Sequence, residues 1–225
     1  MRRGVWGAIA LTLAQAASAI AQPAIGRVEV SIGAGWFGGV TMTPLSVTET
    51  QADGTLRPVF DLSRQLTASA GIEARIGVRL SSRLDAEATG SFTRPQLQLT
   101  ASNDVEGAAS VTAAERLQEF TVGGAASWFL VRRDASSGAM PRTMPFLIAG
   151  LAYARQLHQT STLADGGTLA EAGGGVEQVL WSRAGRLKSI GVRADVRARV
   201  RPKALAVDGR VHVTPMFAAS LFMRF

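Results

Sequence analysis

Polar and apolar residues alternate along this chain with a period of two. From position 68 the even positions read Ala68, Ala70, Ile72, Ala74, Ile76, Val78 and Leu80. The odd positions between them read Ser69, Gly71, Glu73, Arg75, Gly77 and Arg79. In an extended strand the two sets face opposite sides. A helix would scatter Glu73, Arg75 and Arg79 among Ile72 and Ile76, so the spacing predicts a strand. The pattern recurs over 28–36, 84–93, 119–130, 170–180, 190–200 and 217–225. Segment 143–157 is apolar on both faces and its phase stays open. Counting it, the chain reads as eight strands.

The connections differ in length. Those at 38–65 and 95–115 are long, and 132–142, 158–167 and 202–210 are intermediate. Those at 81–83 and 182–186 are short. Long loops on one side and short turns on the other are the habit of outer-membrane barrels. Thr112-Ala113-Ala114-Glu115 has the spacing of a capping box. It places a helical turn in the second long loop and leaves the start of strand four, near Arg116, open. The first long loop carries Glu49, Asp53, Arg57, Asp61 and Arg64, and the second Asn103-Asp104-Val105-Glu106-Gly107. Neither has calcium-loop spacing, and both read as solvated, mobile surface segments.

A soluble sandwich also alternates, so the two faces have to decide. One face is Ala, Gly and Val for much of its length, which fills a soluble core poorly but is tolerated against lipid. The other holds Glu29, Glu73, Arg75, Arg79, Asp85, Glu87, Glu119, Glu171, Glu177, Arg193, Asp195, Arg197, Arg199 and Arg224. The strands run about ten residues or more, enough to cross a bilayer at ~45°. Trp36 lies at the long-loop end of its strand, and Trp128 and Trp181 lie at the short-turn end of theirs. Aromatics at both ends are what two membrane interfaces require. The expected fold is all-β, an eight-stranded antiparallel up-and-down transmembrane β-barrel. Closure would satisfy every backbone group, as lipid demands. A soluble periplasmic barrel, with the apolar face as its core, is the competing architecture.

Composition narrows the picture further. The chain has 225 residues, 24 glycines, no cysteine and 47% hydrophobic residues. Its mean hydropathy of +0.15 is too low for a bundle of membrane helices, and its apolar content is too high for a disordered chain. Without cysteine, disulfide scaffolds, iron–sulfur clusters and thiol nucleophiles drop out. The formal charge of +7 is a modest excess, and with export it argues against nucleic acid as a partner. The first 21 residues have a basic start at Arg2-Arg3, an apolar run over 4–14 and a small-residue end at Ala19-Ile20-Ala21. This is the layout of a secretory signal peptide, cleaved between Ala21 and Gln22. The mature barrel is then expected over 22–225.

The final segment carries the most specific resemblance. Phe217, Ala219, Leu221, Met223 and Phe225 alternate up to a terminal phenylalanine. With the strand pattern over roughly 26–225, this resembles the small eight-stranded outer-membrane barrels of Gram-negative bacteria, the OmpA/OmpX type. The resemblance implies localisation in the cell outer membrane, a monomer, and contact with outer-membrane lipid and lipopolysaccharide. It also implies that Phe217, Leu221, Met223 and Phe225 form the signal read by the barrel-assembly machinery. The likeness is to the barrel alone, without OmpA's periplasmic peptidoglycan-binding domain, so a tethering role is not expected.

An eight-stranded barrel has an interior that side chains just fill, and charges inside it need partners. A three-residue turn at 81–83 sets Arg79 opposite Asp85. A turn at 184–186 sets Glu177 opposite Arg193 and Glu171 opposite Arg199. These pairs are expected to close the lumen as a structural network, and an ion or proton relay is the functional alternative. Acyl chemistry on lipid A would need a histidine beside a hydroxyl. His158 with Thr160 and Ser161, and His212 with Thr214, are the places to look, although a role as polar rim or lumen residues is the favoured reading. Gly123-Gly124 and Gly174-Gly175 lie within strands and are not phosphate loops. No catalytic residue, metal ligand or cofactor is expected. The leading functional reading is a non-enzymatic outer-membrane barrel acting structurally or through its external loops. A narrow channel for ions or small solutes and a lipid A-modifying enzyme are the alternatives.

Overall fold

The computed structural model describes residues 28–133, 142–158, 164–183, 186–201 and 210–225. The leader expected over 1–21, with the expected cleavage site at Ala21 and Gln22, lies outside them, as do Thr160 and Ser161.

Twelve strands are present among the described residues. They are β1 (Val28–Phe37), β2 (Val40–Thr41), β3 (Leu45–Thr50), β4 (Leu56–Leu66), β5 (Ser69–Arg79) and β6 (Leu84–Thr93), followed by β7 (Gln96–Ser102), β8 (Val111–Phe129), β9 (Thr143–His158), β10 (Ala164–Ser182), β11 (Ser189–Arg201) and β12 (His212–Arg224). Eight of them close a barrel in the order β1-β5-β6-β8-β9-β10-β11-β12, with β12 pairing back onto β1. Every pairing in it is antiparallel.

The register fixes the stagger. From Gly35 one row of partners runs through Gly71 and Thr93 to Glu119 on β8. The opposite row runs through Ala218, Asp195, Gly175 and Phe146 to Phe129, also on β8. The two arrivals are ten residues apart, the shear of this eight-stranded barrel. At ordinary rise and strand spacing that shear tilts the strands by about 40°.

The barrel is polar inside and apolar outside. Ile32, Ile72, Ile76, Val122, Leu151 and Leu221 are each well over half exposed on the outer wall. Glu73, Arg75, Glu119, Glu177, Arg193, Arg197, Arg199 and Arg224 are buried in the lumen. The apolar face is therefore not a core, and the soluble-barrel alternative fails on this geometry. Trp36, Trp128 and Trp181 all lie on the exposed outer wall, and Trp36 packs against Phe217 with ring centroids 5.5 Å apart.

Segment 143–157 now has a phase. Met144, Phe146 and Ile148 point inward and are buried, whereas Leu147, Leu151 and Tyr153 face out. The alternation was invisible because the inward residues pack with Phe129, Val179 and Phe222 into an apolar plug toward the short-turn end of the lumen.

The two long loops are not loose. They fold into a second sheet, β3-β4-β7, which continues onto the first residues of β8. The expected helical turn at 112–115 is extended strand: Thr112 lies across from Thr100, and their hydroxyls are 2.9 Å apart. Strand four of the barrel begins at Val111, well before Arg116, and strand six begins at Ala164, which shortens the connection read at 158–167. Barrel pairing of β8 with β9 starts only at Leu117 opposite His158. Residues 111–116 therefore stand above the barrel. Their inward-facing positions carry Val111 and Ala113 beside Leu99, Ala101, Leu62 and Phe60, and their outward positions meet Gln98, Thr100 and Ser63. Where this sheet meets the barrel, Val40, Met42, Leu66, Leu97 and Leu117 form a small apolar cap.

Candidate functional site

Inside the barrel wall the described residues place eight arginines, at 75, 79, 133, 193, 197, 199, 201 and 224. They also place eight carboxylates, at 29, 73, 85, 87, 119, 171, 177 and 195. The strands supply all of them but Arg133 at alternate positions, so most of the network is written directly in the period of two. β11 alone contributes Arg193, Asp195, Arg197, Arg199 and Arg201. Across from it, β10 sets glycines: Gly173 lies opposite Arg197 and Gly175 opposite Asp195. A Cβ on Gly175 would come within 2.6 Å of the Asp195 side chain, so the small positions of β10 leave the lumen to the long side chains of β11.

The ion pairs form a chain along the axis. At the long-loop end Arg201 clasps Glu119 with two N–H groups at 2.8 Å, and Gln156 donates to the same carboxylate at 2.6 Å. Arg199 links Glu119, at 3.4 Å, to Glu171, at 2.7 Å. Arg197 then bridges Glu171, Glu73 and Asp195 at 3.1, 2.9 and 2.7 Å. Arg75 holds Asp195 at 2.8 Å and also pairs with Glu73. Arg193 reaches Glu87 at 2.8 Å and Glu177 at 3.3 Å, and Ser127 donates to Glu87 at 2.6 Å. Arg224 closes the short-turn end between Glu177 and Glu29, with Glu29 at 2.7 Å. Aromatic faces cover several of the cations: Arg193 lies 4.1 Å over the Phe146 ring, and Arg133 lies 3.7 Å over Phe129.

The pairs read from the sequence fall into this network unequally. Glu171 and Arg199 are cross-strand partners and bonded, and so are Glu177 and Arg193. Arg79 and Asp85 are cross-strand partners as well, yet the Asp85 carboxylate is taken by Arg133. Nε and Nη2 of Arg79 are buried without a protein partner. Sequence reading missed Arg133 and Arg201. Arg133 sits past the end of β8, where no alternation points to it. Arg201 continues the odd-numbered run of β11 by one position and was legible there.

The histidines are held differently. His158, above the apolar belt at the end of β9, has Glu115 3.0 Å from Nδ1 and Asp165 3.3 Å from Nε2. The hydrogen bond to Glu115, with a smaller one to Asp165, raises the His158 pKa above its usual value. His212 and Thr214 share a strand face, but the Thr214 hydroxyl donates to the Arg199 carbonyl at 3.5 Å. On the second sheet, Asp61 accepts from Ser46 at 2.6 Å and from Asn103 at 2.9 Å, and these bonds, Asn103 first, hold its carboxyl below the usual range. Phe217, Leu221, Met223 and Phe225 all face outward and are about half exposed.

No protein-family model and no curated protein matches the sequence. Several solved outer-membrane proteins are similar in structure. The N-terminal β-barrel domain of Pseudomonas aeruginosa OprF is 12% identical and covers 90% of this chain and 100% of its own, with a TM-score of 0.42. Ail, the attachment invasion locus protein of Yersinia pestis, solved with the heparin analogue sucrose octasulfate, is 10% identical over 90% of this chain and 100% of its own, with a TM-score of 0.47. OprG from Pseudomonas aeruginosa is 10% identical over 89% of this chain and 93% of its own, with a TM-score of 0.46. The closed wall, the apolar exterior and the charged lumen are features of this chain itself, and they make it a membrane β-barrel of the outer-membrane type.

Proposed function

We propose that this protein is a non-enzymatic integral barrel of the outer membrane, sealed along its axis, whose working surface is the external sheet β3-β4-β7 with the start of β8. The observation that carries the reading is the chain of ion pairs from Arg201 to Arg224, in which arginines and carboxylates fill the lumen. A water-filled path needs space that these side chains occupy. A proton wire needs groups that give up protons, and arginine holds its own throughout the accessible pH range. The non-enzymatic part is supported by the histidines. Both ring nitrogens of His158 already face carboxylates, so neither is aimed at a hydroxyl, and Thr214 spends its proton on a backbone carbonyl.

Reconstitution into planar lipid bilayers tests the sealed lumen. The protein should give no discrete current steps, while migrating faster unboiled than boiled on a denaturing gel. Steady single-channel steps from the heat-modifiable form would replace this reading with a channel.

A further inference from the structure

The lumen charges pair off along most of the axis, but not at the short-turn end. There Arg79 ends β5, Arg224 ends β12, and Arg133 enters from beyond β8. The register brings Arg79 and Arg224 to one level. Arg224 pairs with Glu29, and Glu29 with Gly77, two residues before Arg79. Crossing those two strand spacings at a slope of about 40° climbs about 6 Å toward the long-loop end, and the step from Gly77 to Arg79 descends about 5 Å. Arg133 is drawn in beside them, because its N–H donates to the Ser82 carbonyl at 3.0 Å in the turn between β5 and β6. Arg133 and Arg224 both act through space on the Arg79 guanidinium.

Three guanidinium groups at one end repel, and the carboxylates beside them are already engaged. Both oxygens of Asp85 hold Arg133, and Glu29 and Glu177 hold Arg224. What remains at this end is a set of donors. Nε and Nη2 of Arg79, Nε of Arg133 and Nη1 of Arg224 are buried without a protein partner. So is the hydroxyl of Ser189, the cross-strand partner of Arg224 on the same lumen-facing side. Arg133, Arg224 and Ser189 are each more than nine-tenths buried, whereas Arg79 is partly exposed. The cluster therefore opens to the mouth at Arg79. Around that mouth the short connections carry Arg83, Arg142, Arg183, Arg186 and Lys188, and among their described residues no aspartate or glutamate. Such a rim draws anions toward the opening.

We infer that the short-turn mouth of the lumen binds a phosphate group, as the free ion or as a monoester, on Arg79, Arg133, Arg224 and the Ser189 hydroxyl. Guanidinium N–H groups meet phosphate oxygens as a fork, in bonds shorter and stronger than neutral ones. A dianion also offsets the repulsion among the three cations, which a neutral ligand does not. With the long-loop end external, as proposed above, the site faces the periplasm. It is a dead end and needs no passage through the lumen, so bilayer recordings bear on the seal and not on this site.

Isothermal calorimetry on the folded protein in neutral detergent tests the site, with sodium phosphate titrated at constant ionic strength against sodium chloride. The parent should bind a single phosphate. Arg79→Gln should weaken binding about tenfold or more, and Ser189→Ala about fivefold. Because Nε and Nη2 of Arg79 hold no other part of the protein, Arg79→Gln should keep the heat-dependent gel shift. Arg116→Gln, at the opposite end, should bind as the parent does. A parallel titration with glycerol 3-phosphate separates the two sources: comparable binding gives the monoester room at the mouth, and weaker binding assigns the site to the free ion. No binding by the parent, or equal binding by Arg79→Gln, overturns the site. Binding that survives Arg79→Gln but falls in the double variant Arg183→Gln, Arg186→Gln is diffuse attraction to the rim and overturns it too. Loss of the heat-dependent gel shift in the parent would instead overturn the membrane barrel.

Discussion

Asn103 and His158 show how single residues fasten the second sheet. Asn103 has φ of 56°, a left-handed conformation that side chains other than asparagine and glycine seldom tolerate. Its amide donates to Asp61, and so joins the end of β7 to β4. Asn103→Ala should cost about 1–2 kcal/mol locally, through strain and the lost bond. Faster proteolytic nicking within 103–110, with an unchanged barrel shift on gels, would register it. His158 joins β8 to β10 through Glu115 and Asp165, and its raised pKa sets the sign of a pH effect. Protonated in the folded state more readily than in the unfolded state, it contributes fully below about pH 6.5. That contribution is lost as pH rises through the raised value. The thermal midpoint of the parent should therefore fall relative to that of His158→Gln between pH 6 and pH 9, and parallel curves would refute the coupling.

Among the elements, the barrel strands were legible wherever one face was lipid-facing and the other charged, as in β5 and β11. They were least legible where the inner face was also apolar, as in β9, because Met144, Phe146 and Ile148 plug the lumen. The second sheet escaped for another reason. Pro58 and the irregular register between Val47 and Thr48 break the alternation of the first long loop. The run Gln96-Leu97-Gln98-Leu99-Thr100 in the second alternates cleanly over β7, but the reading of 95–115 as a solvated loop passed it over. Cross-strand pairing of lumen charges follows from turn length, but the choice of bonding partner does not. Arg133 arrives from outside the strand and displaces Arg79 from Asp85. The β10–β11 pair is the sharpest place to test the network. Arg199→Glu or Glu171→Arg alone leaves like charges buried and should cost about 3–5 kcal/mol in unfolding by denaturant. The double exchange should recover part of this. Full recovery is not expected, because Arg199 also holds Glu119 and Glu171 also holds Arg197. No recovery at all would mean that the two residues do not act as a pair.

For the whole molecule, closure and stagger turn a pattern of period two into a wall with distinct sides. The strands slope by about 40°, and the second sheet rises on the side where β8 runs on past the belt and β7 and β4 pair beside it. A sealed lumen with matched arginines and carboxylates predicts silence in bilayer recordings. It also predicts that substituting Glu119→Ala or Glu177→Ala will destabilise the fold before it opens a pore. β8 has a further consequence. It is one strand of 19 residues, about 63 Å of continuous backbone, paired to β7 above the membrane and to β9 within it. A tug on the second sheet along β8 therefore pulls lengthwise on the whole row of β8–β9 hydrogen bonds from Leu117 to Phe129 at once, rather than unzipping them one by one. The sheet is mounted as a spar that resists force, and anything gripping its tip is mechanically coupled to the bilayer itself.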